Sequence, residues 1–566
     1  MSGARLPVVL FWHMHQPQYR DCLTGRYVLP WTYLHAMKDY NDMAAHLETY
    51  PGARAVVNFT PVLIEQLDEL AQRVASHLQS GAPLPDPVLA LLGPDPVPTG
   101  GAQRLELLRA CLRAQRKHMI ERFGPYLELA TLAETLASPE RAVYASDQLI
   151  FDLAVWYHVA WLGETVRRSD PRVAALTEQG RGFQPAQRRE LLTLIGELLG
   201  GVLGRFRRLA ERGQCELSVS PYGHPILPLL LDFQAAREAA PSSPLPRHSS
   251  YPGGEERARW HIAESFRVFE SHFGMRPQGC WPSEGAISER SLALLDRSGF
   301  RWAASSANVL RSSLAASGVN PDDARNYNRP YRMVNANLEC FFRDDALSDL
   351  IGFTYATWHG DDAAQNLVHE LAQLVRSYDG DAKHAVLIAL DGENAWEYYP
   401  FNGFYFLRAL YEALTEHPAL ELMTLSECVA RGLRPAPLQH VVAGSWVHGT
   451  LGTWMGDSAK NAAWDLLCEA KTAFDASVAR GGLDASRLRA AERQLALCES
   501  SDWFWWFGDY NPPDAVSQFD QLYRRQLINL YSLLGAAPPE ALSRPISVGR
   551  GIAEHGGVMR RAFAPT

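Results

Sequence analysis

Short apolar runs recur along the chain, each the length of one strand and each separated from the next by stretches of helical character. "VVLF" (8–11), "ARAVVNF" (53–59), "CELSVS" (215–220), "RWAAS" (301–305), "LIGFTYA" (350–356) and "HAVLIAL" (384–390) are the strand candidates. Near-continuous apolar runs, as opposed to alternating ones, fit strands covered on both faces. Between them, "ESFRVFESHFG" (264–274) repeats Phe266, Phe269 and Phe273 at helical spacing and stops at Gly274. Strands alternating with helices predict an α/β fold with a largely parallel sheet.

The spacing of these runs is uneven, and that sets the expected domain plan. Residues of about 60–214 are helical in pattern and interrupted by the Pro/Gly-rich "GAPLPDPVLALLGPDPVPTGG" (81–101), which reads as a helical insertion at a barrel mouth. After about residue 430 the strand signals fade, and 459–480, 485–500 and 516–534 read as three helices. The expectation is a catalytic barrel over 1–430, insertion included, and a C-terminal helical domain over 431–566 that completes the active-site cleft. A length of 566 residues accommodates more than one domain.

Charge and cysteine usage remove several classes of function. A net charge of −9 argues against nucleic acid or an anionic membrane as main partner. No apolar stretch approaches the ~20 residues of a membrane span, and the first residues lack a signal-peptide layout. Eight scattered cysteines without a C-x-x-C pair predict free thiols in a reducing cytoplasm. Fifteen tryptophans supply flat apolar faces of the kind that sugar rings pack on.

In a parallel barrel, functional groups collect just after the carboxyl ends of strands. His13, His15 and Gln16 follow the first run, and "PYGHP" with His224 follows the run at 215–220. A short run "GCW" (279–281) leads into "PSEGA" with Glu284, and "DGENAWEYY" with Asp391, Glu393 and Trp396 follows 384–390. Two carboxylates at different strand ends, flanked by Trp and His, suit a glycosidase: one attacks or stabilises the anomeric carbon and the other protonates the leaving oxygen.

The order "HQP", "GH", "WPSE", "DGEN", followed by a Trp-rich helical segment, resembles glycoside hydrolase family 57 over most of residues 6–535. The family includes α-amylases, 4-α-glucanotransferases, branching enzymes and α-galactosidases. The resemblance implies an incomplete, seven-stranded (β/α) barrel with a helical domain and a retaining mechanism. It assigns Glu284 as nucleophile and Asp391 as general acid/base, with His15 and His224 hydrogen-bonding the sugar. "FFRDDALSDLIGF" (341–353) offers Arg343 and Asp349, and "ALCESSDWFWWFGD" (496–509) offers Asp502, Trp503 and Trp506. His13, Gln16, Trp281, Glu393, Trp396, Trp446 and Trp454 complete the candidate substrate-binding set. Pro282, Ser283 and the "WFWWFGD" run depart from the family pattern, so the resemblance specifies the family and leaves the activity open.

Other readings compete. Ser283 could cap a helix that holds Glu284 for purely structural reasons, and "DG" at 391–392 is turn chemistry. His-x-His after a first strand also opens metal-dependent deacetylase or amidohydrolase barrels, with His13 and His15 as ligands. A non-catalytic glycan-binding protein would use the tryptophans alone. Because the carboxylate pair already supplies acid and nucleophile, no metal or other cofactor is expected. The expected partner is an α-glucan or oligosaccharide, and the sequence does not specify an oligomeric state.

Overall fold

A computed structural model describes residues 5–378, 383–551 and 559. Its strands are β1 (Leu6–Met14), β2 (Ala55–Phe59), β3 (Cys215–Val219), β4 (Gly279–Cys280), β5 (Trp302–Ser306), β6 (Tyr331–Met333), β7 (Glu339–Arg343), β8 (Val386–Asp391), β9 (Leu420–Leu422) and β10 (Ala436–Leu438). Seven of them, in the order β1-β2-β3-β4-β5-β7-β8, are parallel and close on themselves. Closure is secure on one side and slight on the other: β8 follows β1 from Val386 to Asp391, but meets β7 only at Arg343↔Leu387. Outside the ring, β9 pairs with β1, and β6 carries β10 along the antiparallel edge of β7.

The barrel interior follows from strand alternation. Val9, Phe11, Val56, Trp302, Ala304, Phe341, Leu387 and Ala389 fill the inside, while Val8, Leu10, Trp12 and Met14 pack outward on the helices. Continuing the same alternation to the carboxyl ends brings His13, Asn58, Ser218 and Asp391 to the inward face. These four are register partners across β8, β1, β2 and β3. An apolar plug thus ends in a polar rim, which is where a barrel holds its chemistry.

One expected strand is helical. "LIGFTYA" forms a π-helical turn, Leu350–Thr354, followed by a 3-10 turn, Tyr355–Thr357, and the strand lies upstream at Glu339–Arg343. The cause is local: Asp344 caps a helix over Asp345–Asp349, its carboxylate accepting from the Leu347 amide at 3.0 Å, and the chain runs on from there. Ile351 and Tyr355, four residues apart, are the pair it buries.

Between β2 and β3 the chain is helical, dominated by Pro61–Ser80, Asp147–Trp161 and Pro185–Glu211. After β10 come Ser458–Arg480, Ala485–Cys498, Ser501–Trp506 and Pro513–Leu534; the short third helix is additional to the three expected. All eight cysteines are free and seven are buried. Among the described residues no helix is long and apolar enough to cross a membrane.

Candidate active site

A cleft of about 460 Å³ opens over the polar rim, lined by both Glu284 and Asp391. Glu284 sits on a three-residue 3-10 turn, Ser283–Gly285, with φ 59°. A left-handed glutamate is rare, and such strain persists where the surroundings hold it. Ser283 caps nothing; the next helix begins at Glu289 and is capped by Ser288 in a box with Ser291. Glu284 is not a helix-start residue.

Its carboxylate is held by residues distant in sequence. Trp446 Nε1 donates to Oε2 at 2.9 Å, and Ser501 Oγ donates to Oε1 at 3.4 Å. His224, itself at φ 58°, bonds Ser501 Oγ through Nδ1 at 2.9 Å, and its Nδ1 stands 3.9 Å from Glu284 Oε1. Asp391 ends β8, and the following glycine leaves room for a neighbour: a Cβ on Gly392 would lie 2.2 Å from Met14 Sδ and displace that side chain, and the Gly392 amide donates to the His13 carbonyl at 2.7 Å. Asn394 Nδ2 donates to Asp391 Oδ2 at 2.9 Å.

Burial raises both carboxyls, because a charge removed from water is disfavoured. Asp391 is pushed up to about 6, against the opposing pull of Asn394, His15 and Arg343. Glu284 is pushed up to about 8 by burial and by the charge of Asp391, with Trp446 and Ser501 pulling the other way. Around neutral pH the pair therefore shares one proton.

Three imidazoles stack beside this pair. His15 and His224 have ring centroids 3.9 Å apart at 25°, and His13 lies 5.2 Å from His224. His13 bonds Asn58 Oδ1 through Nδ1 at 2.7 Å, and Asn58 is held in turn by Ser218 and Ser220. Desolvation drops His13 to about 3, so it is neutral. His15 is fixed at both nitrogens, Nδ1 to Thr60 at 3.0 Å and Nε2 to Asp502 at 2.9 Å. Gln16 and the His15 amide both donate to Glu393 Oε1, which is deeply buried.

Ligand atoms of His15, His224 and Asp502 lie within 4.8 Å of one another. The two rings are nearly face to face, however, so their in-plane lone pairs run side by side and do not converge as a metal site requires. Asp502 is spent on His15 Nε2 with both oxygens. His13 and His15 are likewise stacked, 5.8 Å apart at 26°, each with a protein partner. The chemistry of this corner is hydrogen bonding.

The remaining expected residues divide into lining and support. His13, His15, Gln16, Glu393, Trp446, Asp502 and Trp506 line the cleft; Arg343 and Asp349 line a small adjoining recess with Asp391 and Trp446. Trp503 does not face the cleft: it is fully buried, its Nε1 bonded to the Leu497 carbonyl at 2.9 Å and its ring against Tyr523. Helical spacing explains this, since Asp502, Trp505 and Trp506 stand at i, i+3 and i+4 on one face, while Trp503 points elsewhere. Trp505 takes its place in the lining.

Trp281, Trp396 and Trp454 are also fully buried and are supports, not sugar platforms. Trp281 stacks between Phe11 and Trp446 (4.9 and 5.2 Å), Trp396 closes its loop onto the Gly392 carbonyl, and Trp454 backs Trp505. His224 lies behind the lining, against Glu284. Sequence reasoning missed Trp31, His35 and Trp161 on the far wall, and Phe519, which stacks on Trp506 at 4.7 Å.

A buried staple ties the helical segment to the barrel. Glu499 accepts from Tyr251, Arg257 and His261, and His261 Nδ1 accepts from the Gly223 amide at 3.1 Å. Gly223 precedes His224 and Glu499 precedes Ser500–Asp502, so the staple sets the two loops that meet at Glu284.

A parallel barrel whose polar rim holds a buried carboxylate pair under an aromatic cleft belongs to the glycoside hydrolase class of enzymes. The sequence profile of glycosyl hydrolase family 57 matches residues 9–439, and the chain belongs to that family. Similar solved structures include a branching enzyme from Thermococcus kodakaraensis, with 16% identity, TM-score 0.58, and 94% of this chain and 90% of that one covered. The α-amylase AmyC from Thermotoga maritima gives 14% identity, TM-score 0.57, and 95% coverage of each chain. A 4-α-glucanotransferase from Thermococcus litoralis gives 13% identity and TM-score 0.50, covering 93% of this chain and 60% of that one. No curated protein sequence matches.

Proposed function

We propose that the protein is a retaining enzyme of α-glucan, hydrolysing or transferring α-linked glucose chains, with Glu284 as nucleophile and Asp391 as general acid/base. The observation that carries this reading is that Glu284 and Asp391 line one cleft and together hold one proton near neutral pH. A double displacement needs that proton count: one carboxylate to attack, one carboxylic acid to protonate the leaving oxygen. Of the two carboxyls Glu284 is raised further, so the proton favours it. A glycosidic oxygen placed against Asp391 gives Asp391–H a hydrogen-bond acceptor, and moving the proton across frees Glu284 without changing the charge of the pair.

In the first step Glu284 attacks the anomeric carbon while Asp391 protonates the departing oxygen. In the second, Asp391 deprotonates water or a sugar hydroxyl, which displaces Glu284. His15 and Asp502, bonded to each other, shape the wall beside the ring, His224 backs Glu284 through Ser501, and Trp446 holds Glu284 in line. The similar structures are a branching enzyme, an α-amylase and a 4-α-glucanotransferase, which supports the substrate class. Free, buried cysteines and the absence of a membrane-long helix among the described residues support a reducing, cytoplasmic setting.

The test is product analysis on maltooligosaccharides, amylose and galactosides, with anomeric configuration followed by NMR. Retention is expected, with carboxyls about 5–5.5 Å apart in a liganded structure. Asp391→Asn should slow poor leaving groups far more than good ones. Inverted products, or turnover that survives Glu284→Gln, would remove the nucleophile assignment.

A further inference from the structure

The cleft that holds Glu284 and Asp391 is also walled by Trp31, His35, Trp161 and Glu397, here called the chamber. We propose that Trp31, His35 and Glu397 form a sugar subsite on the leaving-group side of the reacting bond, one that holds a glucosyl unit of an acceptor chain and so favours transfer over hydrolysis. This inference rests on the glycosidase reading above.

Two polar groups of this lining keep atoms open to a ligand. Glu397, half-buried, makes no hydrogen bond or ion pair with any described residue. Its carboxyl is raised by burial, with Lys38 and His35 opposing at longer range. His35 gives Nδ1 to Asp39 at 2.7 Å, which leaves Nε2 as its remaining polar atom. Asp39 is closed off by Lys38, and Lys38 also donates to Asn402 at 3.1 Å. That network satisfies itself and fixes His35, but it does not reach Glu397. Polar atoms that face a cleft and bond nothing in the protein are free to bond a ligand or water.

The aromatic side of the chamber is equally specific. Trp161 is fully buried, its Nε1 is bonded to the Arg113 carbonyl at 3.1 Å, and Lys38 Nζ covers one face at 5.3 Å. It cannot serve as the platform. Trp31 can: it is half-buried, backed by Trp161 at 5.9 Å and flanked by His35. An indole face in one lining with a carboxylate and an imidazole nitrogen suits a pyranose ring, apolar across its C–H face and ringed with hydroxyls. Lys38 and His35 within electrostatic reach of Glu397 favour this neutral ligand over a cation.

The loop decides which side of the bond the ligand occupies. Glu397 and Asp391 share the segment that follows β8. Asp391 protonates the leaving oxygen and later takes the acceptor's proton, so the chain beside it is first leaving group and then acceptor.

The experiment uses the full-length protein with α-maltotriosyl fluoride as donor, whose fluoride leaving group needs no sugar in the chamber, and maltose as acceptor. Transfer and hydrolysis products arise from the same glycosyl-enzyme, so their ratio is independent of how fast that intermediate forms. Glu397→Gln and Trp31→Ala are each expected to lower the transfer-to-hydrolysis ratio about tenfold at fixed maltose. The near-isosteric Glu397→Gln guards against a folding artefact, checked by thermal melting. A ratio within twofold of wild type in both variants overturns the inference, as does a wild type that gives no transfer at any maltose concentration, because the chamber then serves water alone. A wild type inert to the fluoride, or forming inverted product, instead overturns the parent reading and carries this one down with it.

Discussion

Glu284 takes its hydrogen bonds from Trp446 and Ser501, 162 and 217 positions away, whereas Asp391 takes its own from Asn394, three positions on. The backbones differ in the same sense. Glu284 occupies a left-handed turn that distant contacts must hold, and Asp391 is the last residue of an ordinary strand. One carboxylate is placed by assembly of the whole chain and the other by its own loop. The helical segment, which supplies Ser501 and Asp502, thus bonds Glu284 directly, while it reaches Asp391 only through His15.

The largest break in this comparison is Glu284→Gln. Removing an attacking group typically costs several orders of magnitude, and kcat/KM is expected to fall at least ~10⁴-fold. The same variant should gain stability at alkaline pH. A carboxyl raised to about 8 in the folded state contributes stability below its unfolded value and loses it as pH rises through 8, when the buried charge must form. The neutral amide avoids that charge. Melting curves across pH 6 to 9 should show Glu284→Gln gaining on wild type as pH rises from 6 to about 8 and holding that lead at higher pH; a constant difference across the range would mean that Glu284 is not desolvated as described.

The same contrast explains how much could be read from the sequence. The barrel was legible because strand runs buried on both faces are apolar throughout, as "HAVLIAL" and "VVLF" are. "LIGFTYA" misled because composition cannot distinguish a buried strand from a buried helical turn; the capping Asp344 upstream was the available signal. Glu284 and Asp391 were visible as strand-end carboxylates, and Asn394 stands in the same motif as its partner. Trp446 and Ser501 had no such mark, since nothing local relates them to a glutamate so far away. The error at Trp503 was avoidable, because the i, i+3, i+4 face carrying Asp502 selects Trp505 and Trp506. Trp31, His35 and Trp161 lie outside the strand-end segments, so reading strand ends alone passed over them.

Trp446→Phe sharpens the comparison with an intermediate effect. It keeps an aromatic ring against Arg343 and Trp281 but removes one donor from Glu284. A carboxylate deprived of a donor ionises less readily, so the alkaline limb of the pH profile, near 8 in the free enzyme, should move upward. With the attacking oxygen less well held, kcat/KM at pH 7 should drop about tenfold. A loss with no movement of the limb would show that the indole matters through packing alone.

Asn394→Ala is the smallest and most discriminating change. Among the described residues its amide is the one side chain that hydrogen-bonds Asp391, and its loss raises the carboxyl above about 6. The pair then keeps both protons to a higher pH, and a doubly protonated pair has no nucleophile. The acid limb of kcat/KM should therefore shift upward by about one pH unit, while the alkaline limb, set by Glu284 and its distant donors, stays where it is. The rate should fall severalfold at pH 6 and little at pH 8. Opposite limbs moving in Trp446→Phe and Asn394→Ala would separate the two carboxylates by the origin of their support. If Asn394→Ala moved both limbs together, the pair would be titrating as one unit through contacts shared across the cleft, and the division between local and long-range placement would have to be abandoned.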